Sequence, residues 1–325
     1  MSSADKIIIS DTIVTGPPEL ILGTTGYADS KGVKIWYEVL EPKGEVKGTL
    51  LLIMGIGQSA LVWPTYFTQP LIDQGYRVIR FDHRDVGMSD RSLEWNKENA
   101  YTLDDMSADA IAILDTLNIS EVHVLGVSMG GLIAQNIAQN HPNRVSSLSS
   151  IMSAKLDFES ELPQISSTLY LKIFWAFARY AWRDSEAGAI KLELAMLDII
   201  NGKSDQHRNT KHVAERVLYE IRFRNGINTQ AIQKHSIAIA KMENIVRPEN
   251  AVTSQKNIPT LIVHGKLDPV IPFSSGVHHA DLTPKATTLW IDNMGHDIAP
   301  SHAVLIHNEL FSLFERETDL QEDIK

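Results

Sequence analysis

A serine between glycines is the first candidate for chemistry in this chain. The run 126–130, GVSMG, places Ser128 between Gly126 and Gly130. Such a serine can act as a nucleophile when a strand leads directly into the turn and a helix follows it, because its hydroxyl is then exposed beside the positive end of the helix. The apolar run 122–125 and the helical pattern from Met129 supply that context. The pattern therefore predicts a nucleophile at Ser128.

A serine nucleophile needs a base and a carboxylate that orients the base. Asp268 follows the apolar run 260–263, and His296 follows the apolar run 287–291. Each residue is thus predicted in a loop at the carboxyl end of a strand, in the chain order serine, acid, histidine. We predict that Ser128, Asp268 and His296 are the catalytic residues.

Other residues compete for two of these roles. Asp292 and Asp297 are closer in sequence to His296 than Asp268 is, and either could instead cap the following helix. The spacing to the preceding strand favours Asp268. Histidines elsewhere are better explained as structural, since His264 ends a predicted buried strand and His278 and His279 fall within a predicted helix.

The backbone N–H groups that would stabilise a developing oxyanion are predicted from their positions in the chain. A glycine-containing turn at 54–57, MGIG, follows the first long apolar run, where this arrangement carries one backbone donor. The residue after the nucleophile carries the other. We therefore assign the backbone N–H groups of Ile56 and Met129.

The elements that must position these residues alternate along the chain. Short, continuous apolar runs are typical of parallel strands buried on both faces. They occupy 49–54, 77–81, 122–125, 145–148, 260–263 and 287–291, with helix-length segments at 65–74, 104–117, 129–140, 274–281 and 301–315. Such alternation predicts an α/β fold with a mostly parallel, doubly wound sheet.

The alternation is interrupted between about 153 and 255, where helical patterns fill the sequence. We predict an extended N-terminal arm at 1–20, an α/β core at 21–152 and 256–325, and a helical cap at 153–255 that covers the site. The cap segment 170–182 is rich in aromatic residues and has two apolar stripes. One stripe, containing Trp175, is expected to line an apolar substrate pocket, although packing within the cap explains it equally well.

Composition excludes several function classes. The 325 residues carry a formal net charge of −10 and no cysteine, which disfavours nucleic-acid partners and rules out thiol chemistry. No signal peptide or membrane-spanning run is evident, so a cytoplasmic location is expected. No metal site or cofactor is predicted. The oligomeric state cannot be inferred from the sequence.

From about residue 20 to 318 the chain resembles the α/β-hydrolase fold family, most closely esterase-like members related to anthracycline methyl esterases. The resemblance rests on the runs 126–131, 81–89, 264–272 and 295–297. It implies a helical cap, the triad order and the oxyanion pair at the matching positions. The chain departs from many relatives in having Met54 before Gly55, and Asp85 where glycine is common.

The predicted function is a serine carboxylic ester hydrolase that acts through an acyl-enzyme on small to medium apolar esters. Carbon–carbon bond hydrolysis, perhydrolysis and acyl transfer remain alternatives on the same residues. A non-catalytic ligand-binding member of the fold is less favoured, since it has no need of all three residues. An NAD-binding enzyme is also less favoured: 55–60, GIGQSA, imitates a dinucleotide motif, but Pro64 interrupts the helix that should follow.

Overall fold

The computed structural model describes residues 1–156, 166–180, 185–202, 204, 208–242 and 258–322. Within them, eight strands form one sheet. The strands are β1 (Thr24–Ser30), β2 (Val33–Leu40), β3 (Gly48–Ile53), β4 (Tyr76–Phe81), β5 (Val122–Val127), β6 (Val145–Ile151), β7 (Thr260–Gly265) and β8 (Thr287–Ile291). Their order across the sheet is β1-β2-β4-β3-β5-β6-β7-β8.

Strand direction divides the sheet into two parts. β2 pairs antiparallel with both β1 and β4, whereas β4, β3, β5, β6, β7 and β8 are parallel neighbours. The parallel strands coincide with the six apolar runs of the sequence. The predicted α/β fold with a mostly parallel, doubly wound sheet is confirmed.

Helices cover both faces of this sheet. The core helices are α2 (Thr65–Asp73), α3 (Leu103–Thr116), α4 (Met129–Asn140), α9 (Phe273–Asp281) and α10 (Pro300–Glu322). α3 and α4 contribute to one buried apolar layer, and α2 and α10 to a second. The central strands β3 and β5 are buried on both sides, which explains why their sequences are almost continuously apolar rather than alternating.

Between β6 and β7, the described residues form helices and no strand. These helices are α5 (Ser167–Tyr180), α6 (Glu186–Asn201), α7 (Thr210–Phe223) and α8 (Thr229–Met242). They are called the cap below. The predicted limits of the cap, 153 and 255, stay a prediction, because residues 157–165 and 243–257 lie outside the described residues.

The prediction of an extended arm at 1–20 is wrong, because Ser3–Thr15 forms a helix, α1. The Ser2 hydroxyl accepts a hydrogen bond from the Asp5 N–H, and the Asp5 carboxylate accepts from the Ser2 N–H at 2.8 Å. Such a capping box satisfies backbone donors that a helix start leaves unpaired. Ile9 of α1 is buried among apolar side chains of α6 and α7, so the helix packs on the cap.

No helix in the described part of the chain has both the length and the apolar character needed to cross a bilayer.

Candidate active site

Ser128 occupies the sharp turn between β5 and α4. Its backbone has φ 56° and ψ −120°, a left-handed conformation that costs a non-glycine residue about 1–3 kcal/mol. The turn closes because its glycines lack side chains: a Cβ on Gly126 would lie 2.0 Å from the Gly130 carbonyl oxygen, and one on Gly130 would lie 2.2 Å from the Ile53 oxygen. The strain and these close approaches explain the spacing of the two glycines around the serine.

The loop after β3 lies beside Ser128. A Cβ built on Gly55 would be 3.5 Å from Ser128 Cβ and 4.0 Å from Ser128 Oγ. Within the described residues, no acceptor is found for the N–H of Ile56 or of Met129. Both donors are therefore available to a ligand near the serine, as the first N–H groups of a helix generally are.

The same loop does not form a dinucleotide site. It leads into a 3₁₀ turn at Ala60–Val62, and α2 begins only at Thr65, after Pro64. A helix N-terminus that could bind a pyrophosphate therefore does not follow the loop directly.

Asp268 and His296 meet in the loops after β7 and β8. His296 Nδ1 lies 2.7 Å from Asp268 Oδ2, and Asp268 Oδ1 accepts from the Val270 and Ile271 N–H groups at 2.8 and 2.9 Å. The Asp268 side chain is fully buried. Because an ionised carboxylate only accepts hydrogen bonds, Nδ1 must carry the imidazole proton, which leaves Nε2 of the neutral ring free to accept one.

The competing residues are placed differently. Asp292 is exposed and pairs with Lys266 at 2.6 Å. The Asp297 carboxyl hydrogen-bonds the Ile298 backbone and Asn201, and burial raises its pKa. His264 Nε2 donates to the Ile271 carbonyl at 2.9 Å, and burial lowers the pKa of this histidine. The structure thus brings Asp268, rather than Asp292, against the His296 ring.

The cap holds the loop that carries His296, a feature that the sequence did not indicate. The His296 N–H donates to the Ile200 carbonyl at 3.0 Å, and Ser204 Oγ donates to the Asn293 carbonyl at 2.7 Å. Both contacts come from the C-terminal end of α6 and the residues after it. The position of the histidine therefore depends on the cap as well as on the sheet.

A cavity of about 610 Å³ lies between the cap and the loop after β3. Its lining includes Gly57 and Gln58 of that loop, apolar cap side chains such as Phe177, and the charged cap residues Glu186, Glu193, Arg216 and Glu220. Ser128 and His296 are not part of this lining. Trp175 is not part of this lining and is 66% exposed, contrary to the expectation that it lines a pocket. Trp182, from the same predicted stripe, lies outside the described residues.

Arg224 pairs with two carboxylates, those of Asp82 and of Glu220, and Glu220 also lines the cavity. Asp82 forms an ion pair with Arg224 and accepts from the Ala60 and Met88 N–H groups at 2.9 and 2.8 Å. Burial raises the pKa of the Asp82 carboxyl to about 6, and the nearby Glu220 acts in the same direction, against Arg224. The carboxylates of Asp82 and Glu220 therefore belong to a network of ion pairs around Arg224.

A metal site would need several ligating side chains that are not already engaged in ion pairs. Asp85 is paired with Lys234 at 2.6 Å, and Arg84 with Asp109 at 2.6 Å. Among the described residues, no group of three or more histidine, aspartate and glutamate side chains could hold a metal ion.

Comparison with known proteins identifies the family. A family model described as the alpha/beta hydrolase fold matches residues 48–303. The chain belongs to the α/β-hydrolase fold family. Within this α/β-hydrolase family, rhodomycin D methylesterase of Streptomyces peucetius is 29% identical over 286 residues, which cover 81% of this chain and 89% of that protein. The predicted resemblance to anthracycline methyl esterases is therefore confirmed.

Solved structures agree with the α/β-hydrolase fold. An esterase from Exiguobacterium antarcticum has a TM-score of 0.66 at 21% identity, over 90% of this chain and 100% of that one. A meta-cleavage product hydrolase from Pseudomonas fluorescens IP01 has a TM-score of 0.55 at 20% identity, over 94% and 100%. Together with the methylesterase, the family supports the predicted enzyme class, an ester-bond hydrolase.

Proposed function

We propose that the protein is a serine carboxylesterase in which Ser128 is the nucleophile, His296 the base and Asp268 the orienting acid. The observation that carries the proposal is the 2.7 Å contact between His296 Nδ1 and the buried Asp268 carboxylate. That contact leaves His296 Nε2 as an acceptor, which a serine nucleophile requires. The strained turn at Ser128 supports the same assignment.

The reaction follows from these roles. Ser128 Oγ attacks the ester carbonyl while His296 Nε2 takes its proton, and Asp268 stabilises the resulting imidazolium. His296 then protonates the leaving alkoxide, which departs as the alcohol. Water deprotonated by His296 attacks the acyl-enzyme, and release of the acid restores Ser128.

The tetrahedral intermediates carry negative charge on the former carbonyl oxygen. The N–H groups of Ile56 and Met129 are the proposed donors to that oxygen, and neither has an acceptor among the described residues. Donors that are already oriented cost little reorganisation as the charge develops, and one such donor is worth about 10²–10³ in kcat.

The proposed substrates are small to medium apolar esters. The cavity of about 610 Å³ falls within the range that holds ligands of drug size, and apolar cap side chains such as Phe177, Leu192 and Met196 form part of its lining. Ser128 does not line this cavity, so the proposal places the ester group at its edge, with the apolar part of the substrate inside. The named activity of the relative from Streptomyces peucetius, a methylesterase, supports an ester with a small alcohol group.

The test combines a panel of p-nitrophenyl esters, from acetate to palmitate, with labelling by a fluorophosphonate probe. The wild-type protein is expected to hydrolyse the short and medium esters and to be labelled, and Ser128→Ala should lose both properties. Ser312→Ala is the matched control, because Ser312 is exposed on α10, away from the carboxyl ends of the strands. More than a tenth of wild-type turnover in Ser128→Ala would contradict the proposal.

A further inference from the structure

Two buried histidines, one from the core and one from the cap, hold the loop after β3. His83 Nε2 donates to the Met54 carbonyl at 2.8 Å, and the Gly57 N–H donates to His235 Nδ1 at 3.1 Å. His83 follows β4 in the core, whereas His235 belongs to cap helix α8. The two rings also pack edge to face, with centroids 5.6 Å apart. The loop is therefore clamped between the core and the cap.

These contacts fix the backbone on both sides of the Ile56 N–H. The Met54 carbonyl belongs to the peptide plane before the one that carries this N–H, and the Gly57 N–H belongs to the plane after it. Because each peptide unit is rigid, holding both neighbouring planes restricts the rotation of the plane between them. The direction of the Ile56 N–H thus depends on both histidines.

The proton on the His235 ring is placed as the hydrogen bond from the Gly57 N–H requires. Its Nε2 lies 3.0 Å from the Arg84 carbonyl, which can only accept, so Nε2 carries the proton and Nδ1 is left to accept from Gly57. Burial lowers the pKa of His235 to about 4; the positive charges of Arg84 and Lys234 also lower it, whereas Asp85 and the bond to the Arg84 carbonyl raise it. The ring is therefore neutral at neutral pH.

Helix α8 is anchored on the N-terminal side of this contact. Lys234 Nζ lies 2.6 Å from Asp85 Oδ1, and Asn228 Nδ2 donates to the Asp85 carbonyl at 2.9 Å. Gly57 has φ +67°, and a Cβ there would lie 2.5 Å from Ile232 Cγ1. The helix and the loop thus approach so closely that the loop cannot rotate without moving α8.

We propose that His235 is a positioning residue that, by accepting from the Gly57 N–H, aims the Ile56 N–H at the developing oxyanion. Cap helix α8 then contributes to stabilisation of the transition state without touching the substrate. This inference rests on the proposed function, in which Ile56 is an oxyanion donor.

The test compares His235→Phe, which removes the acceptor but retains a ring, with His235→Asn, whose amide oxygen can take the position of Nδ1 and accept from the Gly57 N–H. His307→Phe is the matched control, since His307 is also buried and donates to a backbone carbonyl, that of Phe67, at 2.8 Å. We expect His235→Phe to lower kcat about 10- to 100-fold with KM changed less than about threefold, as for a misaimed catalytic group. His235→Asn should recover part of the loss, and His307→Phe should retain kcat.

A trifluoromethyl ketone, which forms a tetrahedral adduct with an active serine, supplies a second readout. Its affinity should fall in His235→Phe by about the same factor as kcat. If His235→Phe does not fold, His235→Leu, which also removes the acceptor, replaces it. Unchanged kcat, or a loss equal to that of His307→Phe, would overturn the inference.

The two proposals can fail separately. A wild-type protein that neither hydrolyses esters nor reacts with a fluorophosphonate overturns the proposed function and, with it, the role of His235. A wild-type protein that does both, combined with full kcat in His235→Phe, overturns the role of His235 alone.

Discussion

Replacing Asp268 by asparagine is expected to reverse the proton arrangement on His296. Asp268 Oδ1 accepts from two backbone N–H groups, and Oδ2 faces His296 Nδ1. The asparagine oxygen should take the Oδ1 position, because turning the NH₂ group there would leave two buried N–H groups unpaired at a cost of about 1–3 kcal/mol each. The NH₂ group then donates to Nδ1, and the ring proton moves to Nε2.

A proton on Nε2 prevents His296 from accepting one from Ser128. The corresponding loss in the serine triad template is about 10⁴-fold in kcat, or about 5.5 kcal/mol in the activation free energy. Stability should change much less, because asparagine preserves both backbone hydrogen bonds. We therefore expect Asp268→Asn to melt within a few degrees of the wild type while losing nearly all turnover.

The measurement is kcat for a p-nitrophenyl ester of medium chain length, with the melting temperature recorded alongside. Asp292→Asn is the control: its side chain is 84% exposed, and its ion pair with Lys266 is a surface contact worth about 0–1 kcal/mol, so its kcat should stay within about twofold of the wild type. If Asp268→Asn retained more than a tenth of wild-type kcat, or if Asp292→Asn were the more damaging change, the tautomer argument would be refuted.

Three further outcomes are expected. His296→Ala should reduce kcat as much as Ser128→Ala, and the double variant should be little worse because the two residues act as a unit; additive losses would indicate another base. Phe177→Ala should shift the preferred acyl length in the ester panel, whereas Trp175→Ala, at an exposed position, should leave it unchanged; the opposite result would move the substrate pocket. The difference in the free energy of unfolding between the wild type and His235→Phe, measured with urea, should fall as the pH drops from about 6.5 towards 4, because the pKa of His235 is depressed in the folded state and unfolding of the wild type then takes up an additional proton. The subtraction removes the contributions of other buried groups such as His83 and His123, whose pKa values are also lowered. Each pKa unit is worth about 1.4 kcal/mol, and a difference that does not change with pH would show that His235 is not held neutral.

The strands of the sheet could be predicted from the sequence because burial makes most of them apolar. A parallel strand covered on both faces is expected to be apolar at nearly every position, and that pattern is clear in β3 and β5, whereas β6 has serine at four of its seven positions. Helix α1 could not be predicted in the same way. Its run Ile7–Ile9 has no helical period, and Ile9 is buried by residues of α6 and α7 that lie far along the chain. The capping-box residues Ser2 and Asp5 were the available signal.

The residues of the candidate site also fall into two groups, those that the sequence could predict and those that it could not. Ser128, Asp268 and His296 directly follow strands, so their loop positions could be predicted from the strand ends. His235 and Ile200 come from cap helices, and their targets depend on how those helices dock, which helical periodicity does not specify. For the same reason, the aromatic segment of α5 could not indicate that Phe177, rather than Trp175, faces the cavity.

Helix α1 has a consequence for exchanging caps between members of the family. Thr210 donates to Asp5 at 2.6 Å, Arg222 donates to the Ile13 carbonyl at 3.0 Å, and Ile9 completes the apolar interior of α6 and α7. The cap is thus assembled from two segments of the chain that are separated by six of the eight strands of the sheet. A chimaera that received only residues 153–255 would lack part of the cap interior, so the functional unit for transplantation must also include the first 20 residues.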